Sequence, residues 1–201
     1  MNLGFLASHR GSNMQAVIDA CRAGTLPATP AVVICNNRDA EALERARREH
    51  IPACHLSSAT HPDPAALDRA IADALARHGV EVVLLAGYLK KLGPETIARY
   101  RGRILNVHPA LLPRFGGQGM YGARVHEVVL ASGARETGVT IHLVDEEYDH
   151  GAIVAQCRVP VVPGDTAETL AARVLQREHR FVVETLTAIA TGALSLPETV
   201  G

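Results

Sequence analysis

The stretch that decides the fold is Ile104-Leu105-Asn106-Val107-His108-Pro109-Ala110-Leu111-Leu112-Pro113. Its first apolar residues are typical of the end of a buried strand, and Pro109 ends the strand because it has no backbone N–H to donate. Asn106 and His108 stand two residues apart, so on a strand their side chains point to the same face. An amide and an imidazole at a strand end can polarise a carbonyl and move a proton. The same pattern also fits a strand exit with two satisfied polar side chains, and the neighbouring sequence favours the chemical interpretation.

Short apolar runs alternate with amphipathic segments along the chain. The near-continuous aliphatic run Val80–Ala86 is typical of a strand buried on both faces of a parallel sheet. The alternation predicts an α/β fold, an open, mostly parallel, twisted sheet with helices on both faces. Near the end, Glu136–Val144 alternates polar and apolar residues, which predicts a half-buried antiparallel strand. A further strand over Ile153–Val161 and a long helix from Thr166 to about Gly192 follow.

Length and composition predict one domain over residues 1–201, which we divide into an N-terminal half (1–100) and a C-terminal half (101–201). The chain is 47% hydrophobic but only 3% aromatic and has no Trp, so its core must be aliphatic. The formal net charge is −1, which steers the protein toward neither nucleic acid nor an anionic membrane. We therefore expect small-molecule substrates, with any anion held by a local site.

The cysteines, the histidines and the N-terminus exclude several other classes of protein. The four cysteines are too far apart for a CxxC motif and are typical of free thiols in a reducing cytoplasm. His126-Glu127 begins an HExxH pattern, but Leu130 takes the second His position, so no metal site is predicted. The apolar run Met1–Ala7 is too short for a signal peptide or a membrane span. These features predict a cytoplasmic location.

A polar loop, Ser8–Asn13, joins the first predicted strand to the first predicted helix. Exposed amides and the helix dipole make such a position an anion site. Gly11 lets the backbone approach a ligand closely, while Ser12 or Asn13 can cap the helix and donate to a phosphate oxygen. The loop matches neither GxGxxG nor a Walker A motif, and an ordinary strand–helix turn remains the alternative.

Three more segments stand where predicted strands end. Ala86–Leu92 is a candidate wall for a flat, partly apolar ligand, because ligands of such sheets bind at the carboxyl ends of strands. Gly116–Gly122 contains four glycines in seven residues, and we expect a mobile loop that acts as a lid. Asp149 lies in an acidic turn; if it reaches His108, it favours the charged form of the imidazole. The alternative for Asp149 is an ordinary solvated turn.

The segment Asn106–Pro113, with Asp149 downstream before a glycine, resembles the signature of the folate-dependent formyltransferases, Asn-x-His-Pro-(Ser/Ala)-Leu-Leu-Pro. The loop Gly11–Asn13, the Ala86-Gly87-aromatic turn and the pair Glu178-His179 narrow the resemblance to the branch that acts on 5′-phosphoribosylglycinamide. The resemblance extends from Met1 to about Gly192. It implies a Rossmann-like formyltransferase fold and transfer of the formyl group of 10-formyltetrahydrofolate to the glycinamide amine in purine biosynthesis, without a metal.

The resemblance also implies roles for individual residues. Asn106 and His108 would stabilise the oxyanion and Asp149 would assist proton transfer, which makes residues 101–201 the catalytic and folate-binding half. The substrate phosphate would be held by the N-terminal half through Gly11, Ser12 and Asn13, and the ribose hydroxyls by Glu178. The folate contacts would come from Leu85, Tyr88, Leu89, Lys90, Leu92, Ile104, Val144, Glu146 and Glu147. Two departures from the pattern are the longer loop Gly116–Gly122 and Lys90, where an Arg is frequent.

Several alternatives differ from this interpretation in the acceptor or in the class of protein. A sibling that formylates tRNA is expected to need a further C-terminal domain and a basic surface, and a formylfolate hydrolase an N-terminal regulatory domain. A sugar-nucleotide N-formyltransferase remains open, although the loop Gly11–Asn13 favours a phosphate monoester. A flavodoxin-like or receiver module is disfavoured because Ser8-His9-Arg10 replaces the acidic cluster of a receiver and aromatic residues are few. Monomer and homodimer are both compatible with the sequence.

Overall fold

Strands and helices alternate along residues 1–197, which are the residues that the computed structural model describes. In chain order the elements are β1 (Asn2–Ala7), α1 (Ser12–Arg22), β2 (Thr29–Cys35), α2 (Glu41–Arg48), β3 (Ala53–His55), α3 (Pro64–Arg77), β4 (Val82–Leu85), α4 (Pro94–Arg99), β5 (Ile104–His108), α5 (Ala123–Ala131), β6 (Glu136–Leu143), β7 (Ile153–Pro160) and α6 (Ala167–Ala190). Among these residues, no helix is both long and apolar enough to cross a membrane.

The strands form one seven-stranded sheet in the order β3-β2-β1-β4-β5-β6-β7. Strands β1 to β5 run parallel, and β6 and β7 add two antiparallel pairings at one edge. The predictions of an open, mostly parallel sheet, an antiparallel addition and a long C-terminal helix are therefore confirmed. The pairing of β4 with β5 joins the two halves of the chain within one sheet.

Two hydrophobic clusters cover the two faces of the sheet. In β1, Leu3 and Phe5 face the cluster formed with α1, α2, α5 and α6, whereas Leu6 faces the cluster formed with α3 and α4. Gly4 lies under α3, where an added Cβ would come within 2.6 Å of Leu75 Cδ2. Glycine therefore permits close packing of α3 on the sheet. The prediction of helices on both faces is confirmed.

Strand β6 is buried on both faces, so the prediction of a half-buried strand is wrong. Thr140 and His142, which alternation places on the polar face, are 0% and 2% exposed. The Thr140 hydroxyl donates to the Ala110 carbonyl at 2.7 Å and accepts from the Leu112 N–H at 3.1 Å. The polar residues of β6 thus bind neighbouring segments of the protein instead of water.

The helix starts agree with the sequence in one case and differ in another. Asp63 caps α3 by accepting from the Ala66 N–H at 2.9 Å, with Pro64 in the first turn, an arrangement that the sequence Asp63-Pro64 itself favours. The expectation that Ser12 or Asn13 caps α1 is wrong. The capping position belongs to Gly11, which has a φ of 63° and provides no side-chain bond. Glycine adopts this left-handed conformation without steric cost.

Candidate active site

Two cavities meet at the carboxyl ends of β4 and β5. The large cavity, of about 470 Å³, is lined by Asn13, Asn106, His108, Asp149, Glu178 and the loop residues 117–122. The small cavity, of about 70 Å³, lies between the segment after β4 and the loop after β6. Four residues line both cavities: Tyr88, Asn106, Tyr148 and Asp149. The junction therefore carries an amide and a carboxylate between two separate spaces.

Asp149 belongs to the acidic turn after β6, and its carboxylate lies close to both polar residues of β5, Asn106 and His108. Its Oδ2 lies 3.5 Å from His108 Nδ1, and its Oδ1 lies 3.5 Å from Asn106 Nδ2. The side chains of His108 and Asp149 are 3% and 11% exposed, so their mutual charges are poorly screened. The structure thus brings together the three residues that the sequence proposed as a catalytic set.

The charge state of His108 depends on burial as well as on Asp149. Burial lowers the pKa of His108, and this effect outweighs the opposing influence of the Asp149 carboxylate and of the Phe115 carbonyl. Asp149 favours the charged form, as expected, but burial has the larger effect in the protein without substrates. For Asp149, burial acts to raise the pKa, but the neighbouring imidazoles of His142 and His108 and the hydrogen bond from the Gly117 N–H together hold it below its usual value. The resting pair is a neutral imidazole beside a carboxylate.

His142 is part of the site, although its place in the alternating pattern of β6 indicated no role there. It pairs directly with Asn106 across β5 and β6. Its Nδ1 lies 2.8 Å from the Leu143 carbonyl, which can only accept, so Nδ1 carries the proton and Nε2 is an acceptor. Nε2 accepts from Asn106 Nδ2 at 3.1 Å and lies 3.4 Å from Asp149 Oδ1. His142 therefore orients the Asn106 amide so that its second N–H faces Asp149 Oδ1 at 3.5 Å.

The proposed phosphate-binding residues occupy the start of α1, next to α6. Asn13 Nδ2 donates to Glu178 Oε2 at 2.7 Å, and both side chains line the large cavity, whereas Gly11 and Ser12 do not. Burial raises the pKa of Glu178 to about 7. Because Glu178 already engages the Asn13 amide nitrogen, a phosphate at this helix start would depend more on backbone N–H groups than the sequence predicted.

The proposed folate contacts divide among different parts of the structure. The small cavity is lined by six of the nine predicted residues, namely Leu85, Tyr88, Lys90, Leu92, Val144 and Glu147. Leu89 instead lines the large cavity, and Glu146 lines a third cavity beside Ile97. Ile104 is 1% exposed and lines neither the large nor the small cavity, because its side chain points into the core under α3 and α4. A direct contact from Ile104 or Glu146 to a ligand in the small cavity is therefore absent from this arrangement.

The site has the chemistry of a carbonyl-transfer centre built from side chains. Within residues 1–197, no group of three or more His, Cys, Asp or Glu residues is arranged to hold a metal ion. An amide N–H, an imidazole and a carboxylate converge instead on the junction of the two cavities. Such groups can donate to a developing oxyanion and accept the proton of an attacking amine.

The comparisons with known proteins agree with this geometry. The model of the family described as formyl transferase matches residues 1–186. The chain belongs to the formyl transferase family. It is 44% identical over 188 residues to the chloroplastic phosphoribosylglycinamide formyltransferase of Arabidopsis thaliana, covering 93% of this chain and 64% of that protein. It is 36% identical over 198 residues to the phosphoribosylglycinamide formyltransferase of Escherichia coli K12, covering 98% and 91% of the two chains.

Among solved structures, glycinamide ribonucleotide transformylase 1 from Symbiobacterium toebii superimposes with a TM-score of 0.90. It is 40% identical, and the match covers 98% of this chain and 91% of that one. The resemblance based on residues 106–113 is thus confirmed at the level of family and fold. The chain spans less than two thirds of the Arabidopsis relative, at 64% of its length.

Proposed function

We propose that this formyl transferase moves the formyl group of 10-formyltetrahydrofolate to the glycinamide amine of 5′-phosphoribosylglycinamide, a step of purine biosynthesis. The observation that carries the proposal is the position of Asn106 and Asp149 in the walls of both cavities. A group that passes from a donor in one cavity to an acceptor in the other must cross this junction. The names of the relatives support the choice of substrates.

The large cavity suits the phosphorylated acceptor. Its volume of about 470 Å³ lies within the usual range of small-molecule sites, about 300–1,000 Å³. One end lies at the start of α1, where backbone N–H groups and the helix dipole attract an anion. In this proposal Gly11, Ser12 and Asn13 hold the phosphate, Glu178 binds the ribose hydroxyls, and the amine points toward Asn106.

The small cavity suits one edge of the folate donor but is too small for it in this conformation. Leu85, Leu92 and Val144 form an apolar wall of the kind that a flat heterocycle needs. The volume of about 70 Å³ corresponds to only two or so water molecules. A bicyclic ring would therefore extend beyond this volume, past Tyr148, which is 48% exposed and lines both cavities.

The residues at the junction account for the reaction in three roles. With substrates bound, the Asn106 N–H that faces Asp149 Oδ1 donates to the formyl oxygen as the amine attacks the formyl carbon. The attacking nitrogen loses a proton to His108, the Asp149 carboxylate stabilises the resulting imidazolium, and the positive charge of the ring stabilises the oxyanion. Cleavage of the bond from carbon to the folate nitrogen then releases the donor as an amine, which receives the proton. No enzyme nucleophile takes part.

The test is a formyl-transfer assay with 10-formyltetrahydrofolate and glycinamide ribonucleotide, followed by the absorbance change of the folate. Turnover that requires the ribonucleotide is the expected result. Loss of the formyl group without the ribonucleotide would indicate a hydrolase and contradict the proposal. Turnover only with amino-sugar nucleotides would show that the protein is a sugar-nucleotide N-formyltransferase, the alternative that the sequence left open.

A further inference from the structure

The backbone of three consecutive residues holds two members of the proposed catalytic set. The Phe115 carbonyl oxygen lies 2.8 Å from His108 Nε2. The Gly117 N–H donates to Asp149 Oδ2 at 3.0 Å. These bonds come from the start of the glycine-rich loop, whose residues 117–122 line the large cavity. The segment Phe115–Gly117 therefore links the loop that lines the cavity to the side chains of His108 and Asp149.

Two features show that the backbone of this segment is closely constrained by its surroundings. Phe115 has a φ of 60°, in the left-handed region that a residue with a bulky side chain rarely adopts. Gly116 has no room for a side chain: an added Cβ would lie 2.3 Å from Leu112 Cδ2 and 3.3 Å from Asp149 Cβ. Such unfavourable backbone conformations persist where the surrounding structure enforces them, and they are concentrated at functional sites.

The carbonyl of Phe115 determines which ring nitrogen of His108 carries a proton. A carbonyl oxygen only accepts, so the nitrogen 2.8 Å away must be a donor. In the neutral ring the proton is then on Nε2, and the lone pair is on Nδ1. Nδ1 is the nitrogen that lies 3.5 Å from Asp149 Oδ2.

We propose that Phe115–Gly117 is a positioning segment that fixes His108 as the Nε2–H tautomer, so that Nδ1 is the atom that takes the proton during formyl transfer. The tautomer is a property of the protein alone, whereas the catalytic consequence rests on the proposed function. The attacking amine gives one proton to the Nδ1 lone pair as its nitrogen bonds to the formyl carbon. The Asp149 carboxylate stabilises the imidazolium. The same proton passes to the leaving folate nitrogen when its bond to carbon breaks, and Nε2 keeps its own proton, donated to the Phe115 carbonyl, throughout.

The tautomer is measured by two-bond ¹H–¹⁵N correlation spectra of the ¹⁵N-labelled protein without substrates, at a pH above the titration of His108. The His108 signals are assigned by their loss in His108→Ala. The expected pattern is a single Nε2–H tautomer. A dominant Nδ1–H tautomer, or an even mixture, would overturn the proposal whether or not the protein transfers formyl groups.

The catalytic consequence is tested by a matched pair of variants, Phe115→Val and Phe115→Gly. Both remove the aromatic ring, but only valine disfavours the left-handed backbone that directs the carbonyl to His108. Phe115→Val should lose the single tautomer and have a kcat at least about tenfold below that of Phe115→Gly, since small misplacements of catalytic groups can cost about 10²-fold. The KM for the ribonucleotide should stay within about twofold in both variants, because neither change touches the start of α1.

A third variant controls for general effects of substitution in this region. Gly133→Ala also changes a residue with positive φ, but its Cβ would meet nothing within 4 Å and it lies outside the large cavity. It should keep both the tautomer and the kcat. Equal kcat values for Phe115→Val and Phe115→Gly, with the tautomer retained in both, would contradict the positioning role. If the wild-type protein shows no formyl transfer at all, the proposed function fails while the spectra still decide the tautomer.

Discussion

Replacing Thr140 by valine tests whether its buried hydroxyl stabilises the protein by binding the chain segment after His108. The Thr140 hydroxyl is fully buried and satisfies the Ala110 carbonyl at 2.7 Å and the Leu112 N–H at 3.1 Å. Valine has the same shape but leaves both backbone groups buried without a partner. Each such group costs about 1–3 kcal/mol, so we expect a loss of about 2–6 kcal/mol in the free energy of unfolding. A loss of about 3 kcal/mol would lower the Tm by roughly 6–12 °C in a protein of this size.

Thr137 provides the matched control on the same strand. It is also 0% exposed, but its hydroxyl has no hydrogen-bond partner among residues 1–197. Thr137→Val therefore removes a buried, unsatisfied hydroxyl and should be neutral or stabilise by about 1 kcal/mol. Urea unfolding followed by far-ultraviolet circular dichroism measures both variants, since the chain has no Trp. An unchanged m-value would show that the midpoint reports stability.

Thr140→Val should also affect catalysis. Its two backbone partners, Ala110 and Leu112, lie two and four positions after His108, so their displacement would shift His108. The kcat should fall while Thr137→Val keeps it. Equal stabilities for the two valine variants would refute the assignment of the Thr140 hydrogen bonds. An unchanged kcat in a folded Thr140→Val protein would refute the link from β6 to the turn after His108.

Three further perturbations follow from the site. Asp149→Asn should lower the pKa of His108 further, because the carboxylate is the largest influence that raises it, and should abolish most turnover; an unchanged NMR titration of His108 would argue against the pairing. Asn13→Asp places a carboxylate at the start of α1, within reach of Glu178, and should raise the KM for the ribonucleotide far more than that for the folate; equal increases would contradict the phosphate assignment. Burial raises the pKa of Glu178 from its usual 4.5 to about 7, so between these values the folded state binds more protons than the unfolded state and loses stability as the pH rises. Glu178→Gln should therefore gain up to about 3 kcal/mol over the wild type at pH 8 but not at pH 4, as measured by urea unfolding, and a gain independent of pH would disprove the burial effect.

The features that follow local rules were predictable from the sequence. The aliphatic run Val80–Ala86, the cap at Asp63 and the strand end at Pro109 each depend on neighbouring residues alone, and each agrees with the structure. The signature over residues 106–113 placed Asn106 and His108 on one face because strand geometry has a strict period of two. The contact with Asp149 followed only from the resemblance, since 41 positions separate it from His108 in the numbering of the chain.

The features that depend on distant contacts were missed. Alternation in β6 is the same whether Thr140 and His142 face water or a neighbouring segment, so the sequence could not show that both are buried. The charge of His108 depends on a balance between burial and Asp149, and burial dominates. The conformation of Phe115 is enforced by the loop around it, and nothing in the order of residues 114–117 predicts a left-handed phenylalanine.

The central claim is that the junction of the two cavities performs the transfer, and a single-turnover experiment tests it most directly. Rapid-quench rate constants for formyl transfer are compared between wild type and Asn106→Ala, with both substrates saturating. We predict a fall of about 10²–10³-fold, as for the loss of an oxyanion donor, with little change in either KM. A single-turnover rate within a few-fold of wild type would contradict the account, because the transferred group would then not pass Asn106.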